Sequence, residues 1–280
     1  MNRIVYLNGA FLPEAEAKIS IFDRGFLMAD SIYEASAILD GKLVDHQRHL
    51  DRMKRSLGEI GLANPYDDEQ WWALHRRLIA ENRVDQGLLY WQISRGVADR
   101  DFVFSPDLTP TVIAFTQAKR VDGPVQGWRV ITQPDQRWQR RDIKTTQLLS
   151  QSLAKMAAKA AGADDCWFVE GGFITEGSSN NAWIICGDQA ITRSPSHSIL
   201  NGITRRAQIE QLAAVGLRLV EQPFTVAEAL QADEAFITSA TTFAQPVIAL
   251  DGQPIGSGEP GPKTLQLRAR YLDFARATAR

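Results

Sequence analysis

Within HQRHLDRMKRSLGEIGL, the apolar residues Leu50, Met53, Leu57 and Ile60 recur three or four positions apart. That spacing predicts an amphipathic helix stopped by Gly61. A second helix is expected over about 67 to 82. Upstream, IVYLNG and AFLPE flank Asn8-Gly9 in a hairpin pattern. FDRGFLMADSIYEASAILDGKLVD predicts a polar loop and then a strand turned at Asp40-Gly41, and GLLYWQISRGVAD and TPTVIAFTQ read as strands around a polar loop. The stretch 118–127, AKRVDGPVQG, carries turn residues without a period and is the linker candidate. Beyond it, strands are expected in WRVITQ, DCWFVEGGFITE (a hairpin), NAWIICG, LRLVEQPF and EAFITSATTFAQPVIALDGQPIG. Helices are expected after residue 144, at about 203 to 215, in VAEALQA and at the C-terminal end. Strands and helices mix without regular βαβ alternation, so the pattern predicts an α+β fold in two domains, 1–119 and 120–280.

Composition narrows the function classes. The 280 residues are 44% hydrophobic and 23% charged, with 31 Lys and Arg against 33 Asp and Glu. This near-neutral balance argues against broad binding to nucleic acid or an anionic membrane. The N-terminus lacks the apolar block of a signal peptide, and no apolar run is long enough to span a bilayer. Two cysteines, Cys166 and Cys186, without a CxxC pair suit a reducing cytoplasm. The four histidines include no HExxH pair; His46 and His49 share a helix face without carboxylate or cysteine company, so no metal site is expected.

In RRDIKTTQLLSQSLAKMAAKAAG, Leu149, Leu153, Met156 and Ala160 line one face of a helix. Lys155 and Lys159 lie one turn apart near its C-terminal end, where cations favour the dipole, and read as solvated charges. Lys144 stands at the opposite end beside Arg140 and Arg141, a positive setting that favours the neutral, nucleophilic form of an amine. A surface lysine at an element boundary explains the same letters. ITEGSSNNAWII puts Glu176 at a strand end before Ser178, Ser179, Asn180 and Asn181, which are ordinary turn formers or the lining of a polar pocket. In LNGITRR, Gly202 feeds a helix with Thr204 in its first turn, which suits either capping or a phosphate. ITSATTFAQP adds the hydroxyls of Ser239, Thr241 and Thr242 at another strand end. Taken together, these signals specify an anion cradled by two hydroxyl turns, an imine-forming amine and a carboxylate for a protonated ring nitrogen. Those are the requirements of pyridoxal phosphate.

The order and spacing of FDRGF…AD…YEA, HLDRMKRS, RDIKTTQLL, TEGSSNN, LNGITRR and TSATTF resemble the fold-type IV, class IV pyridoxal-phosphate aminotransferases over nearly the whole chain, and specifically the D-amino-acid group. The resemblance implies a smaller N-terminal α/β domain and a larger, β-rich C-terminal domain with pyridoxal 5'-phosphate between them. It makes Lys144 the lysine that carries the cofactor as an imine and the acid–base catalyst, and Glu176 the partner of the pyridine nitrogen. Arg52 matches the phosphate-binding arginine; Ile203, Thr204, Ser239 and Thr241 complete the cradle, and Leu200 packs on the ring. Ala240 stands where many relatives carry a hydroxyl residue and offers only its backbone N–H, which leaves the assignment over 239 to 241 open by one position. Tyr33 and Arg100 match the pair that holds a D-amino acid's carboxylate, the arginine coming from a partner subunit, so a homodimer is implied. Phe102 replaces the histidine of the usual pattern and makes the trap more apolar. The implied reaction is ping-pong transamination between a D-alanine-like amino acid and 2-oxoglutarate or pyruvate. The same scaffold also suits an L-branched-chain or (R)-amine transaminase, 4-amino-4-deoxychorismate lyase, or a cofactor-free binding protein.

Overall fold

The Asn8-Gly9 turn forms with positive φ at both residues, 47° and 96°, and joins β1 (Ile4–Leu7) to β2 (Ala10–Pro13). The computed structural model describes residues 3–280, which fall into two units. The first is the run ending at Val121 together with Ile143–Gln147 and Thr278–Arg280; the second is Asp122–Asp142 and Leu148–Ala277. A single division after residue 119 is therefore replaced by a discontinuous one. The reason is local pairing, since Thr145 bridges Ile32 and the amide of Tyr33 donates to the Lys144 carbonyl at 2.9 Å.

In the first unit, α1 (Arg24–Met28), β3 (Ser31–Leu39), β4 (Lys42–Leu43), α2 (His46–Glu59), α3 (Asp68–Asn82), β5 (Gly87–Ser94) and β6 (Thr111–Ala118) follow in order. The six strands form a sheet in the order β2-β1-β6-β5-β3-β4. The α2 stripe works as its spacing predicts: Leu50, Met53 and Leu57 are buried with Trp71 and Trp91, each contributing about 1.5–3 kcal/mol. Helix α3 starts where Asp67 and Gln70 exchange backbone and side-chain hydrogen bonds in a capping box. His46 and His49 belong to the core. The Nε2 of His46 lies 2.9 Å from the Nδ1 of His75, and burial pushes His75 down to about 3.

The second unit contains β7 (Trp128–Pro134), α4 (Leu149–Ala160), β8 (Asp165–Glu170), β9 (Phe173–Gly177), β10 (Asn181–Cys186), β11 (Gln189–Thr192), α5 (Ile203–Ile209), β12 (Arg218–Glu221), β13 (Phe224–Thr225), α6 (Val226–Leu230), β14 (Glu234–Ser239), β15 (Phe243–Leu250), β16 (Gln253–Pro254) and α7 (Pro262–Thr278). Its ten-stranded sheet runs β12-β11-β10-β14-β15-β7-β8-β9-β13, with β16 on β15. Antiparallel pairs dominate, but β7 pairs in parallel with β8 and β15, and β11 with β12. The mixture is α+β.

Two helices depart from their expected form. Helix α4 meets the sheet through Ala154 and Ala158, packed on Cys166 and Phe168, whereas Leu149, Leu153 and Met156 are 73%, 60% and 60% exposed. Small side chains let the helix approach closely, and the larger stripe faces away. Helix α5 ends at Ile209, and a 3₁₀ turn at Ala213–Val215 follows. That tighter turn puts Leu212 and Val215 on one side, both buried in the cluster of Trp183 and Phe236.

Candidate active site

Successive side chains of β3 alternate between faces. Glu34 points into the core, where α2 presents His49 and Arg52 three residues apart. Arg52 donates through Nε to Glu34 Oε1 at 2.7 Å and through Nη2 to Oε2 at 2.8 Å. His49 Nδ1 lies 2.7 Å from Oε2. Glu34 is fully buried. Burial pushes its carboxyl up, but Arg52 and His49 outweigh it and hold the group well below the usual carboxylate range. The guanidinium plane of Arg52 is thereby fixed. Glu34→Ala leaves a largely buried arginine without this counter-charge and is expected to cost about 3–5 kcal/mol, read from urea unfolding. Because the folded state depresses this pKa, the contribution is complete above the unfolded value of about 4.3. It is lost as pH falls through the folded pKa, so Glu34→Gln should flatten the acid limb of the stability profile.

Lys144 lies in an extended segment zipped onto β3, not in the first turn of a helix. Besides the Ile32–Thr145 bridge, the amide of Thr146 donates to Ser31 O at 3.2 Å, and the hydroxyls of Ser31 and Thr146 share a short hydrogen bond. Its half-buried side chain turns to the half-buried Tyr33, and Nζ sits 4.2 Å from the ring centroid. Tyr33 stacks on Tyr90 at 5.4 Å, and Tyr90 on Phe115 at 4.8 Å. The expected positive setting is corrected on two counts. Helix α4 begins five residues further along, with no side-chain cap, whereas the macrodipole acts within the first turn. Arg140 is directed to Asp142 at 3.0 Å, and Arg141 to Glu170 at 2.9 Å and Asp135 at 3.3 Å. Lys155 is also more than a solvated charge, since it pairs with the buried Asp165 at 3.1 Å.

In the second unit Glu176, at the end of β9, is 4% exposed. It accepts from Arg137 Nη1 at 2.5 Å, Asn181 Nδ2 at 3.0 Å and the amide of Leu200 at 3.2 Å. Burial pushes its carboxyl up against the opposing pull of Arg137 and the Leu200 amide. Arg137 is itself held by Asp135 at 2.8 Å. Asn181 also donates to Leu200 O at 2.8 Å, so one side chain ties TEGSSNN to LNGITRR. Gly202 makes this possible, because a Cβ there would lie 2.1 Å from Asn181 Oδ1. Sequence reasoning missed Arg137 altogether and took Asn181 for a turn former or pocket lining. Both act through tertiary contacts across the sheet, which leave no local signal.

Ile203 and Thr204 are buried in the first turn of α5. At the other hydroxyl turn, Ser239 Oγ pairs with Thr242 Oγ1 at 2.7 Å, with Ala240 and Thr241 half-buried between them. The turn ends at Phe243, fully buried at φ 56°, a strained conformation for a bulky residue. Arg268 of α7 secures it by donating to Thr242 O and lying 5.6 Å over the Phe243 ring. No local signal in α7 marks that role. Thr242 had been outside the expected cradle, although its hydroxyl is the one paired with Ser239.

Arg100 and Phe102 lie in the exposed segment following β5, with the Arg100 guanidinium 6.0 Å from the Phe102 ring and Phe102 82% exposed. Within the first unit, then, Lys144, Tyr33, Glu34 and Arg52 share β3 and its neighbours. Within the second, Glu176, Leu200, Ile203 and Thr204 are gathered by Asn181 and Gly202. A lysine amine against an aromatic ring, a buried carboxylate held by three donors and two hydroxyl-bearing turns are groups of the kind an aldehyde, a ring nitrogen and a phosphate require. Among the described residues, no group of three or more His, Cys, Asp or Glu is set to hold a metal ion. No helix there is long and apolar enough to cross a membrane.

The chain is similar to D-alanine aminotransferase of Staphylococcus aureus (strain MSSA476), with 38% identity over 96% of this chain and 97% of the relative. D-alanine aminotransferase of Bacillus licheniformis is 36% identical over 93% of each. Among solved structures, the branched-chain amino acid aminotransferase of T.th., complexed with N-(5'-phosphopyridoxyl)-L-glutamate, superposes with a TM-score of 0.89 at 25% identity, covering 99% of this chain and 95% of that one. The Escherichia coli branched-chain enzyme shares the fold at TM-score 0.87 and 20% identity, covering 98% and 95%. The model of the amino-transferase class IV family matches residues 31–250. The chain belongs to the class IV aminotransferases.

Proposed function

We propose that the protein transfers the amino group of a D-alanine-like amino acid to 2-oxoglutarate or pyruvate in ping-pong half-reactions, using pyridoxal 5'-phosphate held on Lys144. The observation that carries this reading is the Lys144 amine fixed against Tyr33, in a chain whose relatives are D-alanine aminotransferases. When bound, pyridoxal phosphate supplies an aldehyde that condenses with amines and a ring that takes up the electron pair of a broken Cα–H bond.

The chain's own groups do the rest. Lys144 Nζ would hold the cofactor until the substrate's amino group displaces it, and the freed amine would then take the Cα proton and deliver it to the carbon that had been the cofactor's aldehyde. Glu176 holds a proton at the ring nitrogen, and Arg137 and Asn181 keep its carboxylate aimed. Arg52, oriented by Glu34, binds the phosphate with the amide of Ile203 and the hydroxyls of Thr204, Ser239 and Thr241; the amide of Ala240 joins them, and Leu200 packs on the ring. Tyr33 and a partner subunit's arginine at position 100 hold the substrate carboxylate, and Phe102 makes that trap more apolar. A homodimer is supported by large exposed apolar side chains: Phe26, Phe102 and Val103 in the first unit, and Leu149, Leu153 and Met156 in the second.

The test is product analysis with purified, cofactor-loaded protein. D-alanine with 2-oxoglutarate should yield pyruvate and D-glutamate. Release of pyruvate from 4-amino-4-deoxychorismate without amino transfer would instead identify the lyase on this scaffold.

A further inference from the structure

The motif FDRGF and the segment SRGVADRDFVF are fastened together in the first unit. Asp23 accepts from the amide of Gly25 at 2.8 Å and, on its other oxygen, from Ser94 Oγ at 2.9 Å. Asp23 and Val97 form an isolated bridge, the amide of Arg24 donates to Gly96 O at 2.8 Å, and that of Ala98 to Phe22 O at 3.2 Å. Gly96 closes the base of the loop, with φ 100° and an added Cβ only 2.0 Å from Thr109 O.

Beyond this base, two buried guanidinium groups share one carboxylate oxygen. Arg24 Nε and Arg95 Nε donate to Asp30 Oδ2 at 2.9 and 2.8 Å, and the two arginines are 4% and 6% exposed. One carboxylate offsets only one of these charges. The remainder is spread over backbone carbonyls and a ring: Arg24 Nη1 donates to Asp101 O at 2.6 Å, and Arg95 to Ile60 O at 2.7 Å and Gly61 O at 3.1 Å. Phe104 covers both guanidinium groups, 3.9 Å from Arg95 and 5.0 Å from Arg24. The loop is thus pinned at Asp101 by its carbonyl and at Phe104 by its ring, while Phe102 and Val103 between them are 82% and 81% exposed. Arg100 sits one residue before the first pin.

We infer that Arg24, Asp30, Arg95 and Phe104 form a clamp whose task is to position Arg100 for the substrate carboxylate. This rests on the proposed reading of Arg100. The two buried arginines fix a loop whose tip is otherwise exposed, and a misplacement of about 1 Å in a substrate-orienting group costs up to about 10²-fold in kcat/KM.

Phe104 is 40% exposed, so Phe104→Leu tests the clamp without emptying the core. The cofactor-loaded enzyme is compared on D-alanine and D-alaninamide, which share a side chain but differ in the carboxylate. Phe104→Leu should lower the preference for D-alanine about tenfold, in keeping with the loss of a partly exposed ring from two buried guanidinium groups. The loss should fall on KM with kcat held, and Phe104→Tyr should restore the preference. Amide hydrogen exchange over 99–104 should quicken in the Leu variant alone. Equal losses on both substrates, or no change in preference while Arg100→Ala abolishes it, would overturn the clamp and leave the reading of Arg100 standing. If Arg100→Ala itself leaves the preference intact, that reading falls and the clamp with it.

Discussion

Lys144→Ala is expected to lose amino transfer by at least about 10⁴-fold, because the role proposed for Lys144 combines the covalent attachment and the proton shuttle. Wild-type protein loaded with pyridoxal phosphate should be yellow, and borohydride should fix the label on the peptide that contains Lys144. The variant should carry no reducible label there. Its fold should persist, since the segment is held to β3 mainly by backbone hydrogen bonds and by Ser31 and Thr146. Labelling that survives in the Ala variant would assign the attachment to another amine.

The second large effect belongs to Glu176. Glu176→Gln keeps the size and the hydrogen-bonding reach toward Asn181 and Leu200 but removes the negative charge. Arg137 donates to the wild-type carboxylate at 2.5 Å, so the amide variant removes the negative charge and keeps the positive one beside it, and a proton on a ring nitrogen held by Glu176, as proposed, becomes costly. A fall in kcat of about 10²–10³, or roughly 2.7–4 kcal/mol, is expected for removing such a preorganised group. Affinity for the cofactor should change much less, because the phosphate contacts are untouched. Wild-type kcat in Glu176→Gln, measured with D-alanine at saturation, would remove Glu176 from the chemistry.

Much of this organisation is written locally. The Leu50–Met53–Leu57 stripe, the Asn8-Gly9 and Asp40-Gly41 turns and the six ordered motifs lead directly to the elements and the family. What escaped is long-range or depends on side-chain size. Arg137 reaches Glu176 across 39 positions, and nothing in RWQRRD distinguishes it from its neighbours. In α4 the plain apolar stripe is that of Leu149, Leu153 and Met156, yet the side packed on Cys166 and Phe168 is that of Ala154 and Ala158. The dipole expectation for Lys144 failed because IKTT pairs with β3; its β-branched residues are those a strand edge favours. The FDRGF motif is easy to see and hard to interpret from sequence, since its partners Ser94, Gly96 and Val97 lie about 70 residues away.

The central claim, a D-specific amino transfer, is tested most directly by a half-reaction. Cofactor-loaded protein is mixed with D-alanine or L-alanine alone, without a 2-oxo acid, and loss of the yellow absorption is followed in a stopped-flow instrument. D-alanine should bleach the band and release one pyruvate per site, with L-alanine at least about 10²-fold slower, a discrimination of roughly 2.7 kcal/mol. Equal rates, or faster bleaching by L-alanine, would contradict it.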